Sequence, residues 1–274
     1  GVTCGTGKQQ VVRESGALSL ELVNLSQWRL EQQEGRVKRF GPGVFVLCSD
    51  EPWNNRLKET SPEIKRVPLT ELVMHCASFG VRTDSLTFDY APETSKIQEA
   101  ELQLQNLGLI DRMCLMTERG RFTAGLPVST ETGAMLWYAR KAGVLGQAIA
   151  VAAVMEVGGI RKDFRHSHGC SNLSDWLDGL YAYLQAYEMK SSQRKSFMEQ
   201  SNIGTKRFYA AKEFERDLLK HFEGEELSRE IGYYGFESKM CASILAGQVN
   251  KLYVAQSGMV YNKEGSGYRI GRGS

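Results

Sequence analysis

Gln32-Gln33-Glu34-Gly35-Arg36-Val37-Lys38-Arg39-Phe40-Gly41-Pro42-Gly43 is the stretch on which the reading of this 274-residue chain turns. Two arginines three apart follow a polar helix and precede a Gly-Pro-Gly turn, so both can project at an interface. Arginine suits such a place because its planar fork grips two phosphate oxygens at once and keeps its charge. Spacing by itself favours the plainer reading, a solvated basic face on a loop.

The flanks read as extended chain. Val11 and Val12 lie in one segment of residues 8–24. Leu18, Leu20 and Leu22 alternate in a second, the period of a strand with one buried face, and Glu14-Ser15-Gly16 supplies the turn between them. After the Gly-Pro-Gly turn, Val44-Phe45-Val46-Leu47 is a continuous apolar run, which predicts a strand buried on both faces of an α/β sheet. Gly5-Thr6-Gly7-Lys8 invites a P-loop reading. A P-loop needs G-x-x-x-x-G-K-[ST] after a strand, whereas Gln9 follows Lys8 here and Val2 holds the place of the first glycine. An ordinary turn is predicted instead.

Hydrophobic residues at 42% and charged residues at 24% exclude wholesale disorder. Lys+Arg 34 against Asp+Glu 32 leaves a net charge of +2, so any nucleic-acid contact must come from local clusters. The six cysteines are scattered without a C-x-x-C pair, the pattern of free thiols in a reducing compartment. No apolar run reaches the length of a membrane span. The start at Gly1-Val2-Thr3, without an initiator Met, leads us to expect a piece of a longer protein.

From residue 68 the pattern turns helical. Leu69, Leu72, Val73, Cys76 and Phe79 recur at helical spacing, with Gly80 as the stop. A second helix is predicted from Ser95, with Gln98 completing a capping box and Ile97, Ala100, Leu104 and Leu107 as its stripe. Leu109–Asp111 and Leu115–Thr117, then a turn at Glu118-Arg119-Gly120, complete the outline of a winged helix. Lys96 is the sole cation on that second helix, which argues for a packing module over a groove reader. Residues 131–222 read as a helical bundle, with Ala148–Val157, apolar almost all round, at its centre.

His166, His168 and Cys170 at spacing two lack a fourth ligand, so no metal site is predicted; a basic loop with Arg161, Lys162 and Arg165 is expected there. The best local candidates for nucleic-acid phosphate are Lys195, Lys206, Arg207 and Lys212, with Lys190, Arg194 and Arg216 nearby. A solvated helix face laced with ion pairs accounts for the same residues equally well. Leu252–Val254, Met259–Tyr261 and Tyr268–Ile270, separated by Ser257-Gly258 and Gly265-Ser266-Gly267, suit the start of a small barrel.

The stretch 32–43 resembles the sixth helicase motif of the DEAH/RHA family of superfamily 2 RNA helicases, Q-R-x-G-R-x-G-R-x-G-P-G. Gln32, Gly35, Arg36, Arg39, Gly41, Pro42 and Gly43 match in register. Cys4–Lys8 sits at the family's D-S-G-x-x-K turn, Leu25-Ser26 at its Ile-Ser pair, and Ser61-Pro62-Glu63-Ile64 resembles its T-P-E-I linker. Met116–Gly120 resembles L-T-x-x-G, Leu126-Pro127-Val128 the L-P-[VL] step, Ser174-Asp175-Trp176-Leu177 the S-D-H-L signature and Ala246-Gly247 an A-G step. Several features depart from the pattern, among them Trp176 in place of the His of S-D-H-L. Gln33 replaces an Arg, Glu34 sets an acid inside the motif, and Lys38 replaces a Gly and is expected to disturb the backbone. Phe197-Met198-Glu199-Gln200 lacks the Trp and Cys of W-C-x-[ED].

The resemblance implies a mixed, mainly α fold. Residues 1–60 would end the second RecA-like domain, 61–126 form the winged helix, 127–225 a ratchet-like bundle and 226–274 begin an incomplete OB-like fold. It implies that Gln32, Gly35, Arg36 and Arg39 face ATP with Mg2+ in the full-length protein. There Arg36 and Arg39 would be catalytic, stabilising developing phosphoryl charge. It further implies single-stranded RNA, the N-terminal RecA-like domains of the same protein and a protein cofactor as partners. The expected location is cytoplasmic, or nuclear in a eukaryote, with no membrane contact. Without a P-loop or D-E-A-H box the chain is expected not to hydrolyse ATP alone. The competing readings are a winged-helix nucleic-acid-binding regulator and a protein-interaction module with a relic helicase motif.

Overall fold

The computed structural model describes residues 1–12, 18–162, 173–251, 254–256, 259–261 and 267–268; at 10–12, 18–20, 173–176 and beyond 251 it describes backbone alone. The fold is mainly helical and divides into two compact units, one of residues 1–69 and 84–98, the other of 70–83 and 99–274.

In the first unit, β1 (Val2–Thr3) is followed by β2 (Thr6–Val12) and β3 (Leu18–Asn24), an antiparallel pair with Lys8 opposite Leu22. The two predicted extended segments are therefore present; the turn expected at Glu14-Ser15-Gly16 lies outside the described residues. The turn expected over Gly5–Lys8 is confined to Gly5 (φ 66), and Thr6-Gly7-Lys8 already belong to β2. Leu22 is 73% exposed, so the leucine alternation marks no buried face at that position. Helix α1 (Gln27–Val37) comes next and runs through the first half of the arginine stretch instead of ending before it. Its one buried residue is Leu30.

Strand β4 (Val46–Leu47) pairs parallel with β1, Val2 with Val46 and Thr3 with Leu47. The expectation of a strand buried on both faces fails here. Val44 and Val46 are exposed, because pairing with β1 satisfies one edge of the backbone and leaves those side chains in solvent.

In the second unit, the helix expected at Leu69–Phe79 is α2 (Thr70–Ser78), followed by Gly80 at φ 67. Helix α3 (Thr94–Asn106) starts one residue before the predicted cap, so Ser95 lies in its first turn. The predicted ribbon shrinks to one bridge between Ile110 and Met116. The turn expected at Glu118-Arg119-Gly120 is instead the start of α4 (Glu118–Ala124). Thr117 caps this helix by accepting from Gly120 N. Gly120 looked like a turn residue, but its role is close packing: a Cβ there would meet Leu109 O at 2.1 Å.

The bundle comprises α5 (Thr130–Ala142), α6 (Leu145–Glu156), α7 (Leu173–Glu188), α8 (Ser191–Gln200), α9 (Thr205–Leu219) and α10 (Phe236–Gly247). Every residue from Leu145 to Val154 is buried, which makes α6 the central helix, as its almost wholly apolar composition predicts. Tyr183, Phe208, Phe222, Phe236 and Met240 join the same core. Three short strands, β5 (Val254–Gln256), β6 (Met259–Tyr261) and β7 (Gly267–Tyr268), form an antiparallel sheet in that order. The His166-Ser167-His168-Gly169-Cys170 segment, Arg165, Leu252, Tyr253, the two predicted Gly-Ser turns, Arg269 and Ile270 lie outside the described residues. Among the described residues, no helix is long and apolar enough to cross a membrane, and no cysteine is in a disulfide.

Candidate functional site

Helix α1 is fixed at its start by neighbours far along the chain. Ser26 is buried, accepts from Arg29 N at 3.4 Å and receives the Thr60 hydroxyl at 3.0 Å. The Gln27 amide donates to Trp53 O and Arg56 O, each at 3.1 Å. Arg56 is 5% exposed and directs its five N–H donors at Gly5 O, Leu25 O, Ser49 Oγ and, twice, Glu51 O. One buried guanidinium thus ties the end of β1, the entry to α1 and the segment after β4 together. At the other end of α1, Gly43 lies against the helix, where a Cβ would stand 2.9 Å from Val37 O.

This anchoring leaves one face of α1 open. Arg29, Gln32, Gln33 and Arg36 follow the helical period and share that face. With Thr6, Gly7 and Lys8 from β2, and Leu25, they line an open groove of about 340 Å³. No carboxylate lines it. Glu31 and Glu34 fall on the far side of the helix by the same period, and Glu34 accepts from Lys38 Nζ at 2.6 Å. Among the described residues, the side chains of Lys8, Arg29, Gln32 and Arg36 have no hydrogen bond or ion pair within the chain. Gln33 Oε1 is buried in the groove wall without a partner.

The groove therefore brings Gln32 and Arg36 together and adds Lys8 and Arg29, which the sequence analysis did not assign to it. Gly35 is on the helix but not in the lining. Arg39 stands past the end of α1, exposed, with its guanidinium 5.7 Å from the Phe40 ring. The expected disturbance at Lys38 is absent. It is the C-cap at φ −89, ψ 1, a conformation open to any residue, and the two departures at 34 and 38 pair with each other. Arg29 was findable from the sequence, because it lies seven residues, nearly two helical turns, before Arg36. Lys8 was not, since only the pairing of β2 with β3 sets its place.

In the bundle the four candidate phosphate ligands are not equivalent. Lys195 and Lys206 are exposed and unpaired among the described residues. Arg207 is half-buried and donates to Arg161 O at 2.9 Å and Gly159 O at 3.4 Å. Lys212 lies 4.4 Å from the Tyr187 ring, and Arg229 lies at the same distance from that ring. Arg194 donates to Ala186 O and Tyr187 O, closing the end of α7, and Arg216 pairs with Glu213 and Asp217. Behind them Glu215, 1% exposed, accepts from Tyr183 Oη at 2.6 Å and Arg229 Nη2 at 2.7 Å. Burial pushes the Glu215 carboxyl above the usual carboxylate range, while Tyr183 and Arg229 pull the other way. Burial, and then the charge of Glu215, pushes the Tyr183 phenol up.

No protein-family model matches the chain. Over 196 residues, 64% of its length, it is 26% identical to an ATP-dependent RNA helicase HrpA homolog of Haemophilus influenzae. Over 136 residues, 48% of its length, it is 32% identical to the probable ATP-dependent RNA helicase DHX34 of Homo sapiens. A crystal structure of Escherichia coli DEAH/RHA helicase HrpB aligns with 98% of the chain at a TM-score of 0.62 and 18% identity. This chain is related to the C-terminal portion of the DEAH/RHA-type ATP-dependent RNA helicases. It spans 15% of the HrpA homolog, 12% of DHX34 and 30% of the HrpB chain. The HrpB likeness carries the fold alone.

Proposed function

We propose that this chain is the C-terminal part of an ATP-dependent RNA helicase of the DEAH/RHA type, and that its α1 groove receives the phosphates of ATP held by a neighbouring lobe. The observation that carries this reading is the open, carboxylate-free groove, in which Gln32 and Arg36 share one face with two further cations and none of these side chains has a partner among the described residues. A cation left unpaired at a fixed helix face is a ready binding site for phosphate oxygens. Arg36 and, from beyond the helix end, Arg39 would stabilise the charge that develops as the γ-phosphoryl leaves.

The groove suits a polyphosphate but not its Mg2+. It offers no carboxylate, and among the described residues no group of three or more His, Cys, Asp or Glu could hold a metal ion. Any protein ligands of the metal would come from the neighbouring lobe. The four-part division at residues 60, 126 and 225 belongs to the same proposal, with the bundle beside single-stranded RNA and Lys195 and Lys206 as its phosphate contacts.

Two measurements test the reading. RNA-stimulated ATP hydrolysis by the full-length protein should fall about a thousandfold or more with Arg36→Ala, the scale of an arginine that stabilises the transferring phosphoryl group. The 274-residue chain alone should show no RNA-stimulated turnover. Wild-type hydrolysis by the Arg36→Ala protein would favour a relic motif in an interaction module.

A further inference from the structure

Position 33 carries glutamine where the motif it resembles carries arginine, so this helix carries one guanidinium fewer than the motif does. The groove wall shows the consequence, since Gln33 Oε1 is buried there without a hydrogen-bond partner. One turn earlier on the same helix face stands Arg29, four residues before Gln33 and seven before Arg36. Its side chain is exposed, lines the same groove and is bonded to no described residue. Its backbone is held in place, because Arg29 N donates to the Ser26 cap and the Ser26 hydroxyl receives Thr60. A flexible side chain on a fixed turn, facing a groove with no acid in it, shares that groove with two further cations, Lys8 and Arg36. Like charges brought together without a counter-charge are unfavourable, and an anion bound among them relieves that cost.

We infer that Arg29 is a phosphate-binding residue that supplies, from one turn upstream, the guanidinium that position 33 lacks. The ligand class is the polyphosphate of a nucleoside triphosphate, and the inference rests on the nucleotide-facing reading of the groove. Arg29 then shares the bound phosphate oxygens with Arg36. The departure at position 33 is a relocation of charge along one helix face and not a loss of it.

The test uses the full-length protein and the nonhydrolysable ATP analogue adenylyl imidodiphosphate, with binding followed by calorimetry and folding by thermal melting. Arg29→Ala should weaken binding about tenfold, the scale of one lost charge-assisted hydrogen bond. Arg29→Lys, which keeps the stem and the charge but not the fork, should fall between Arg29→Ala and wild type. The deciding variant adds Gln33→Arg to Arg29→Ala, which should restore most of the lost affinity; a merely structural role for Arg29 would not be rescued this way. Wild-type affinity in Arg29→Ala alongside weakened binding in Arg36→Ala would overturn the inference and leave the groove reading standing. Weakened binding that Gln33→Arg does not restore would also overturn it. If the wild-type protein does not bind the analogue, or Arg36→Ala binds it unchanged, the groove reading itself fails and takes this inference with it.

Discussion

The α1 groove and the α7–α9 face of the bundle both looked basic in the sequence, and, Lys195 and Lys206 apart, the structure gives their cations opposite circumstances. At the groove, Lys8, Arg29 and Arg36 are exposed, with no side-chain partner among the described residues. In the bundle, Arg194 and Arg207 fill carbonyl positions, Lys212 and Arg229 lie over Tyr187, and Arg216 has two acids. A density of positive charge in the sequence therefore says little. What separates a binding site from a scaffold is whether the chain itself satisfies the donors. The same contrast runs within the first unit, where Arg56 uses every donor internally and Arg36, on the neighbouring helix, uses none.

If that contrast is sound, the fully bonded cations should matter for stability. Arg56 is the extreme case. Arg56→Ala leaves Leu25 O and Glu51 O without their donor, in a place where Leu25 is buried, and takes from Gly5 O one of its two donors, the other being Leu25 N. Each stranded carbonyl costs about 1–3 kcal/mol, so the first unit should lose about 2 kcal/mol or more. Urea unfolding followed by tryptophan fluorescence, with Trp28 and Trp53 as reporters, measures this. A loss below about 1 kcal/mol would mean that water replaces the guanidinium and that Arg56 is no clamp.

Glu215 tests the contrast from the acid side. Glu215→Ala strands the Tyr183 hydroxyl in the core and should cost about 1–3 kcal/mol. The pH dependence is more diagnostic. An unfolded glutamate titrates near ~4.3, and burial raises the native value. Across the window between the two, the native state holds the extra proton, so stability should fall as pH rises and level off above the native pKa. Glu215→Gln has no such proton, and its stability relative to wild type should rise with pH through that window. A relative stability that falls through the window would mean that Arg229 outweighs burial.

These residues also show where sequence reading works. The β2–β3 pair, the central α6 and the helix stops at Gly80, Gly108 and Gly143 were legible because hydrophobic period and glycine are local signals. So was the groove face of α1, in principle, since Arg29, Gln32 and Arg36 obey one period. The start of α4 was misread because Gly120 serves packing against Leu109 and not a turn. The exposure of Val44 and Val46 was invisible because an apolar run shows strand propensity, not whether a second layer covers it. Arg56 gave no signal at all. Its partners lie 51, 31, 7 and 5 residues away, and no local pattern encodes that meeting.

The smallest expected effects separate the two kinds of cation inside one cluster. Arg207→Ala removes a donor from Arg161 O and should cost the bundle about 1 kcal/mol. Lys195→Ala touches no described partner and should change stability by less than about 0.5 kcal/mol. For RNA the ranking should reverse. If Lys195 meets a phosphate, its removal should lower the slope of log affinity against log salt by about 0.7, the share of one contact on a single strand. Filter binding of a single-stranded oligonucleotide to the full-length protein across a salt series reads that slope directly. A slope unchanged by Lys195→Ala and by Lys206→Ala would return this face of the bundle to solvent. The α1 groove would then be the one basic surface of the two for which the chain's own bonding still argues a ligand.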